Sequence, residues 1–416
     1  MAGALDAPVR RPQTEKDDPL RILFLSHRFP YPPNRGGKIR PFNMIKHLAK
    51  KHAIVVASLA HSSQELNEGA ALKNYCEDVV AEVVPDWMRW THAFRALPTL
   101  TPSSVAYFWS RRLHHRIKER LFNSSFDVIL AHCAFVAQYV ANWRGCFRIL
   151  DFGDLDSAKW AEYARSRGLP ASLSYGLESK KLRSYERGVA RQFHRCTVTT
   201  QGEMEEFQKL GVSVPCRVIP NGVDASFFRC DRVGAGRRRT IIFLGRMDYY
   251  PNIDGAWYFA KTILPLVRER APDVEFHIVG SNPSRKIRDL AKIPGVVVTG
   301  HVRDVRPHVK EAAVSVAPLR IARGTQNKIL ESMAMGVPVV ASPQAAKGIQ
   351  AVPGKHVLVA DEPAAFAGHV IDVLESSRLQ EQLSAMGRAL VKRMHEWSAS
   401  MRILDEVLES QDALRA

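Results

Sequence analysis

Residues 323–342 read RGTQNKILESMAMGVPVVAS, and the fold is read outward from them. Gly324 and Thr325 belong to a loop. The spacing of Ile329, Leu330, Met333 and Ala334 predicts a short helix. Gly336 ends it, and Pro338 stops its continuation before Val339 and Val340 open a strand. The start of such a helix has free N–H groups and a partial positive charge, which suit a phosphate. Glu331 lies about 6 Å along the axis from Asn327. A carboxylate there is badly placed to touch a phosphate and well placed to accept hydrogen bonds from a ribose. Together these features describe a nucleotide site. The alternative is a surface Glu on a core-packed helix, since exposed acids are the rule.

A chain of 416 residues has room for two domains. Its 46% hydrophobic and 24% charged content is that of a soluble globular protein. No apolar run reaches transmembrane length, and the amino-terminal stretch is polar and proline-bearing. A disordered tail at 1–19, no signal peptide and a cytoplasmic protein, in reach of the inner face of the membrane, are expected. Cys76, Cys133, Cys146, Cys196, Cys216 and Cys230 are far apart, with no CxxC pair, so thiols and no metal site are expected. The formal charge of +17 favours a polyanionic partner, or else reflects an Arg-rich composition. No zinc-finger, RNP or KH signature points to nucleic acid.

The chain opens with a buried strand, Arg21–Ser26, and a Pro/Gly-rich loop, HRFPYPPNRGGK, at 27–38. Ile39, Phe42, Ile45 and Leu48 mark a helix, and 54–59 the next strand. In such a βαβ opening, function is expected in the loop at the carboxyl end of the first strand. Gly36 and Gly37 let backbone approach a ligand, and Lys38 and Arg40 add charge. The loop lacks the GxxxxGK[ST] pattern, so NTP hydrolysis is not indicated. Residues 87–121 interleave Trp87, Trp90, Phe94, Phe108 and Trp109 with Arg89, Arg95, Arg111, Arg112, Arg116, Lys118 and Arg120. That mixture suits an interfacial membrane segment or two amphipathic helices covering a sheet. His132 stands at the end of a buried strand, FDVILA. Asp151, at the end of the next, is a candidate for a polar role. Asp154-Leu155-Asp156 is a DxD match of low specificity.

The βα alternation restarts in the second half. The Gly234-Ala235-Gly236 fragment precedes its strand instead of following it and is rejected as a dinucleotide fingerprint. Arg246 follows the strand Thr240–Leu244 at a place suited to a diphosphate. Two doubly wound α/β domains, 20–215 and 216–395, are expected to face a cleft, with a C-terminal helix at 396–416.

GTQNKILESMAMGVPVVAS resembles the donor signature of glycosyltransferase family 4, retaining enzymes of the GT-B fold, and PNGVD at 220–224 resembles the turn before its donor domain. HRFPYPPNRGGKIR and DFGDLDSAKW resemble a narrower group, sugar transferases linked to exosortase-type exopolysaccharide clusters. The resemblance spans about residues 20–400. It implies metal-independent, retaining transfer from a nucleotide-diphosphate sugar to a glycan or polyprenyl-linked acceptor, with no cofactor. It implies ribose on Glu331, donor phosphate near Gly36 and Gly37, the transferred sugar on His132 and phosphate on Arg246. It further implies the acceptor on the 20–215 domain, where Lys38, Arg40 and Asp151 are the candidate acceptor-binding set, and the nucleotide sugar on the 216–395 domain. Gly324, Thr325, Gln326 and Asn327 join the donor set through main-chain amides at the helix start. The family often has a lysine a few residues after the arginine. Here Tyr249-Tyr250-Pro251-Asn252 follows, and Lys328 or Arg323 is the candidate substitute. Arg323 also stands where the family has the first of two spaced glutamates. Arg246, Lys328 and helix-end amides are expected to stabilise the departing diphosphate. Arg323 is also the feature that favours a competing reading, a nucleotide- or glycan-binding protein without turnover.

Overall fold

The computed structural model describes residues 18–34, 36–230 and 239–410. Most of the expected tail, Gly234-Ala235-Gly236 and the end of the expected C-terminal helix lie outside them. The chain divides into two units, Met1–Ile219 with Met401–Ala416, and Pro220–Ser400.

The first unit is built on a seven-stranded sheet of β1 (Arg21–Ser26), β2 (Ala53–Ala60), β3 (Asp78–Val83), β4 (Val128–His132), β5 (Phe147–Gly153), β6 (Arg195–Val198) and β7 (Cys216–Val218). Their spatial order is β3-β2-β1-β4-β5-β6-β7, all parallel. β4 is buried along its whole length, as a parallel strand covered on both faces requires. β7 pairs with β6, so the boundary lies after it and not at 215/216 as expected from sequence. The helix Gly36–Leu48, α1, follows β1, and Gly36 and Gly37 open it instead of lying in the preceding loop.

The segment 87–121 separates into α2 (Asp86–Ala96) and α3 (Arg111–Asn123). α3 buries Leu113, Ile117 and Leu121 at helical spacing and places its arginines outside, where Arg116 donates to Ala81 O at 2.6 Å and Arg120 pairs with Asp78. Arg89 is fully buried and donates to Val84 O and Ala60 O, both at 2.8 Å. It fastens α2 to the sheet and is not an interfacial charge. Two more helices, α4 (Asp156–Ser166) and α5 (Ala171–Ala190), pack on each other between β5 and β6.

The second unit has a six-stranded parallel sheet: β8 (Thr240–Leu244), β9 (Glu275–Val279), β10 (Val296–Gly300), β11 (Val314–Ala317), β12 (Val339–Ala341) and β13 (Leu358–Val359), in the order β10-β9-β8-β11-β12-β13. Its core joins Phe243, Phe259, Phe276, Ile329, Leu330 and Phe366. Burying each such side chain contributes about 1.5–3 kcal/mol. The helix read from the opening stretch is α7 (Asn327–Ala334); α6 (Tyr250–Tyr258) precedes it. Gly336 adopts φ +67° and donates to Met333 O, closing α7 as its sequence predicts. The last helix, α8 (Trp397–Glu409), is not a separate element: from residue 401 it belongs to the first unit, where Asp405 meets His47 at 2.9 Å.

In each sheet the strand order reverses once, between β1 and β4 and between β8 and β11. The crevice outside the carboxyl ends of strands at such a reversal is where α/β sheets bind ligands.

Candidate functional site

At the reversal in the second unit, β8 runs into Gly245 and Arg246, and β11 runs into the loop that ends at α7. Two close backbone approaches hold this region. A Cβ on Gly280 would lie 1.7 Å from Gly245 O, and one on Gly348 would lie 1.9 Å from Gly324 O. Neither position admits a side chain, and Gly280 and Gly324 have φ of +155° and +62°. Arg320 pins the same loop to α6 through Asp254, at 2.9 Å and 2.5 Å.

The start of α7 is uncapped. Gln326 makes no side-chain cap and instead donates to Arg323 O at 3.0 Å. Thr325 Oγ1 and Asn327 Oδ1 are buried without a hydrogen-bond partner. Buried polar atoms are normally paired, so such orphans at a helix start mark a place for a ligand. One turn on, Glu331 keeps part of its surface open.

Lys328 is buried, with Nζ 4.4 Å from the Phe243 ring centroid and donating to Asn252 Oδ1 at 2.5 Å. Asn252 Nδ2 in turn donates to Arg246 O at 2.9 Å. Asn252 therefore ties the Lys328 ammonium to the main chain of Arg246, a residue far from it in sequence. Burial pulls the Lys328 ammonium down to about 7, opposed by Glu331. Burial also pushes Glu331 up to about 7, opposed by Lys328. The guanidinium of Arg246 is half exposed and folded onto Asp248, at 3.1 Å and 2.5 Å, and an incoming phosphate must compete with that carboxylate.

At the reversal in the first unit, strand register lines up Ser26, His132, Asp151 and Thr197 across β1, β4, β5 and β6. Both oxygens of Asp151 are taken. Arg40 donates to them at 2.9 Å and 2.6 Å, His132 Nδ1 lies at 2.7 Å and Thr197 Oγ1 donates at 2.6 Å. Arg40 also donates to Ile219 O at 2.8 Å. Burial alone would raise the Asp151 carboxyl, but the Arg40 charge and the bonds from Arg40 and His132 hold it well below the usual carboxylate range. An ionised Asp151 only accepts, so Nδ1 of His132 carries the hydrogen and Nε2 is left for a substrate.

This corrects three expectations. Asp151 is fully buried and Arg40 nearly so, each consumed by the other. Lys38 is buried against Glu65 at 2.7 Å. None of the three presents its charge to an acceptor; they lock the β1–α1 connection and orient His132. Gly36 is exposed at the start of α1, and Gly37 faces Arg28, whose Cδ lies 3.2 Å from a Cβ built there. The two acids of the DxD match answer to different partners: Asp154 accepts from Thr199, and Asp156 is partly buried and accepts from Cys133 Sγ. Among the described residues no group of three or more His, Cys, Asp or Glu is disposed to hold a metal ion.

Sequence reasoning missed Asn252, Thr197 and Gly280. Asn252 had a usable signal, a Pro-Asn pair in the first turn of the helix that follows β8. Thr197 had none, because its role depends on the β5–β6 register.

Residues 35–227 match the family described as Glycosyltransferase Family 4, and residues 238–376 that described as Glycosyl transferases group 1. A phosphatidyl-myo-inositol mannosyltransferase of Mycobacterium leprae is 26% identical over 337 residues, covering 76% of this chain and 84% of that protein. The protein of that name in Mycobacterium tuberculosis H37Rv is 33% identical over 209 residues, covering 46% of this chain and about half, 53%, of that one. HepE of Anabaena, solved with UDP and glucose, superposes with a TM-score of 0.67 at 14% identity, covering 94% of this chain and 100% of that one. Sucrose-phosphate synthase of Thermosynechococcus elongatus superposes with a TM-score of 0.69 at 16% identity, covering 95% of this chain and 100% of that one. These structural likenesses concern the fold.

Proposed function

Since the chain belongs to the group 1 and family 4 glycosyltransferases, we propose that it moves a sugar, with retention, from a nucleotide-diphosphate sugar to a glycan or lipid-linked acceptor in exopolysaccharide synthesis. The observation that carries this reading is the uncapped start of α7, with orphaned Thr325 and Asn327 oxygens, Lys328 beside it and Glu331 one turn on. The diphosphate rests on the helix start and on Lys328, and the ribose hydroxyls donate to Glu331. Arg246 leaves Asp248 for the phosphate as negative charge builds on the leaving group.

In the transfer, the bond from the anomeric carbon to the diphosphate oxygen breaks. A bond from the acceptor oxygen to that carbon forms, and the acceptor's proton passes to the leaving phosphate oxygen. Asp151 is the carboxylate beside His132, but it is buried and fully bonded, so it does not act as a nucleophile. Its part is to fix the His132 tautomer, so that Nε2 accepts from a sugar hydroxyl.

The test is calorimetric titration with UDP, GDP and ADP on the unaltered chain and on Glu331→Ala. Binding of one nucleotide, clearly weakened by the substitution, is expected. Equal binding by Glu331→Ala removes the ribose assignment, and no binding to any of the three removes the transferase reading. Arg323 favours one second reading, a binding protein without turnover. Nucleotide binding with neither donor hydrolysis nor transfer across an acceptor panel would establish it.

A further inference from the structure

α2 buries Arg89, Ala93 and Ala96 and turns Trp87, Trp90 and Phe94 to solvent, with Trp87 67% exposed. Trp90 and Phe94 lie side by side, ring centroids 6.2 Å apart. The chain then continues through Leu100, 93% exposed. α5, far away in sequence, buries Glu178, Leu182 and Glu186 and exposes Leu173 and Leu177. The two stretches are stitched together. Lys181 Nζ donates to Leu97 O at 2.8 Å, and Glu178 accepts from Ser103 N at 3.1 Å and Ser104 N at 2.8 Å. The loop carrying Leu100 thus runs beside the Leu177 turn of α5. Beyond Leu177, between α4 and α5, is a groove of about 560 Å³ lined by Arg165, Arg167, Lys180, Leu173 and Leu177 among others.

Scattered exposed apolar residues are ordinary, but exposed Trp, Phe and Leu on adjoining elements, next to a cationic groove, make an interaction surface. We propose that this face of α2 and α5 docks on an anionic lipid bilayer, its aromatic and leucine side chains entering the headgroup–acyl boundary and its cations meeting lipid phosphates. Charge selects this occupant. A second copy of the chain would set Arg165, Arg167 and Lys180 against themselves, and the whole chain carries +17. The face differs from the segment expected from sequence: Arg89 and α3 are occupied by the sheet, and α5 supplies what they do not. The inference is independent of the transfer reaction.

The experiment is co-sedimentation of the full chain with phosphatidylcholine vesicles, with and without about 30% phosphatidylglycerol, in about 0.15 M salt. Binding to the anionic vesicles is expected, with loss on Trp87→Ser/Trp90→Ser/Phe94→Ser. Each cation is worth about fivefold, so Arg165→Gln/Arg167→Gln/Lys180→Gln should bind about a hundredfold more weakly. A control on the second unit, Arg270→Gln/Lys292→Gln/Arg378→Gln, should bind as the unaltered chain does. The proposal is overturned by absence of binding to anionic vesicles, by an apolar-face variant that binds unchanged, or by a control that loses as much as the groove variant. Brominated phosphatidylcholine tests the same point without relying on a folded variant: tryptophan quenching of the unaltered chain is expected, and its absence refutes insertion. A dimer in light scattering that the Trp87/Trp90/Phe94 variant splits would assign the face to self-association instead.

Discussion

Nucleoside diphosphate binding should take up a proton, and Lys328 sets how much. In the free protein its ammonium is buried over Phe243 with Asn252 Oδ1 as acceptor, and burial pulls it down to about 7. A diphosphate on the start of α7 supplies the missing counter-charge and returns the group toward its ordinary value of about 10.4. At pH 8 a group of pKa about 7 is about one-tenth charged, so binding should take up about 0.9 proton per nucleotide. Because the bound state holds the extra proton, affinity falls as pH rises, by about fiftyfold between pH 7 and pH 9 for these two values. Glu331 titrates in the same window, pushed up to about 7. The measurement therefore belongs in Glu331→Gln, where Lys328 also loses its neighbouring carboxylate and lies lower still. Calorimetry in Tris and in Hepes, whose ionisation heats differ, gives the proton count directly. Proton uptake of the same size in Lys328→Met, or tight binding at pH 8 with no uptake, would refute the reasoning.

Arg246→Ala should lower turnover by about a hundredfold, as for other preorganised charge donors, measured as steady-state sugar transfer. Asp151→Asn strands the buried Arg40 and should cost about 3–5 kcal/mol, seen as a drop in melting temperature. The carboxyl of Asp151 is depressed in the folded chain, so its contribution is present above about pH 3.9 and is lost as the medium is acidified below that. Glu186 behaves oppositely: burial, opposed by the hydrogen bonds from Ser157, pushes it from 4.5 up to about 8, so stability falls as pH rises through that interval. Glu186→Gln should flatten this slope and gain on the order of 3 kcal/mol at pH 7, read from urea melts across that range.

The strands were legible because most are short apolar runs set between polar or charged stretches. The opening stretch also disclosed its helix and its end, since Gly336 and Pro338 are local signals. The second site was legible where its chemistry is sequential: the 324–331 segment is one loop and one helical turn. The first site was misread because charge in a loop looks alike whether it faces solvent or a partner. Arg40 and Asp151 are 111 residues apart, and only the β1-β4-β5 order brings them together. The same holds for Arg89, whose charge lies against carbonyls of β2 and of the turn after β3. Buried cations are uncommon, so sequence places them outside by default.

The family resemblance left a missing cation after Arg246, and the geometry suggests how the chain replaces it. Asn252 stands on the first turn of α6, six residues past Arg246 (252 minus 246), and the ammonium of Lys328 reaches its side chain from α7. If the positive charge is needed at that point in space, its origin in the chain is immaterial. Asn252→Lys alone should weaken diphosphate binding, because it sets a second ammonium against Lys328 in a buried place and pulls both further toward neutrality. Lys328→Met alone should weaken binding by removing the charge. Asn252→Lys in the Lys328→Met background should recover most of the loss, since one ammonium again occupies the site beside Arg246 O. The three variants and the parent form a cycle, read by titration at pH 7, whose coupling energy isolates the shared position. Additive losses in the double variant would mean that Lys328 acts where it stands on α7, and that Asn252 only holds it there.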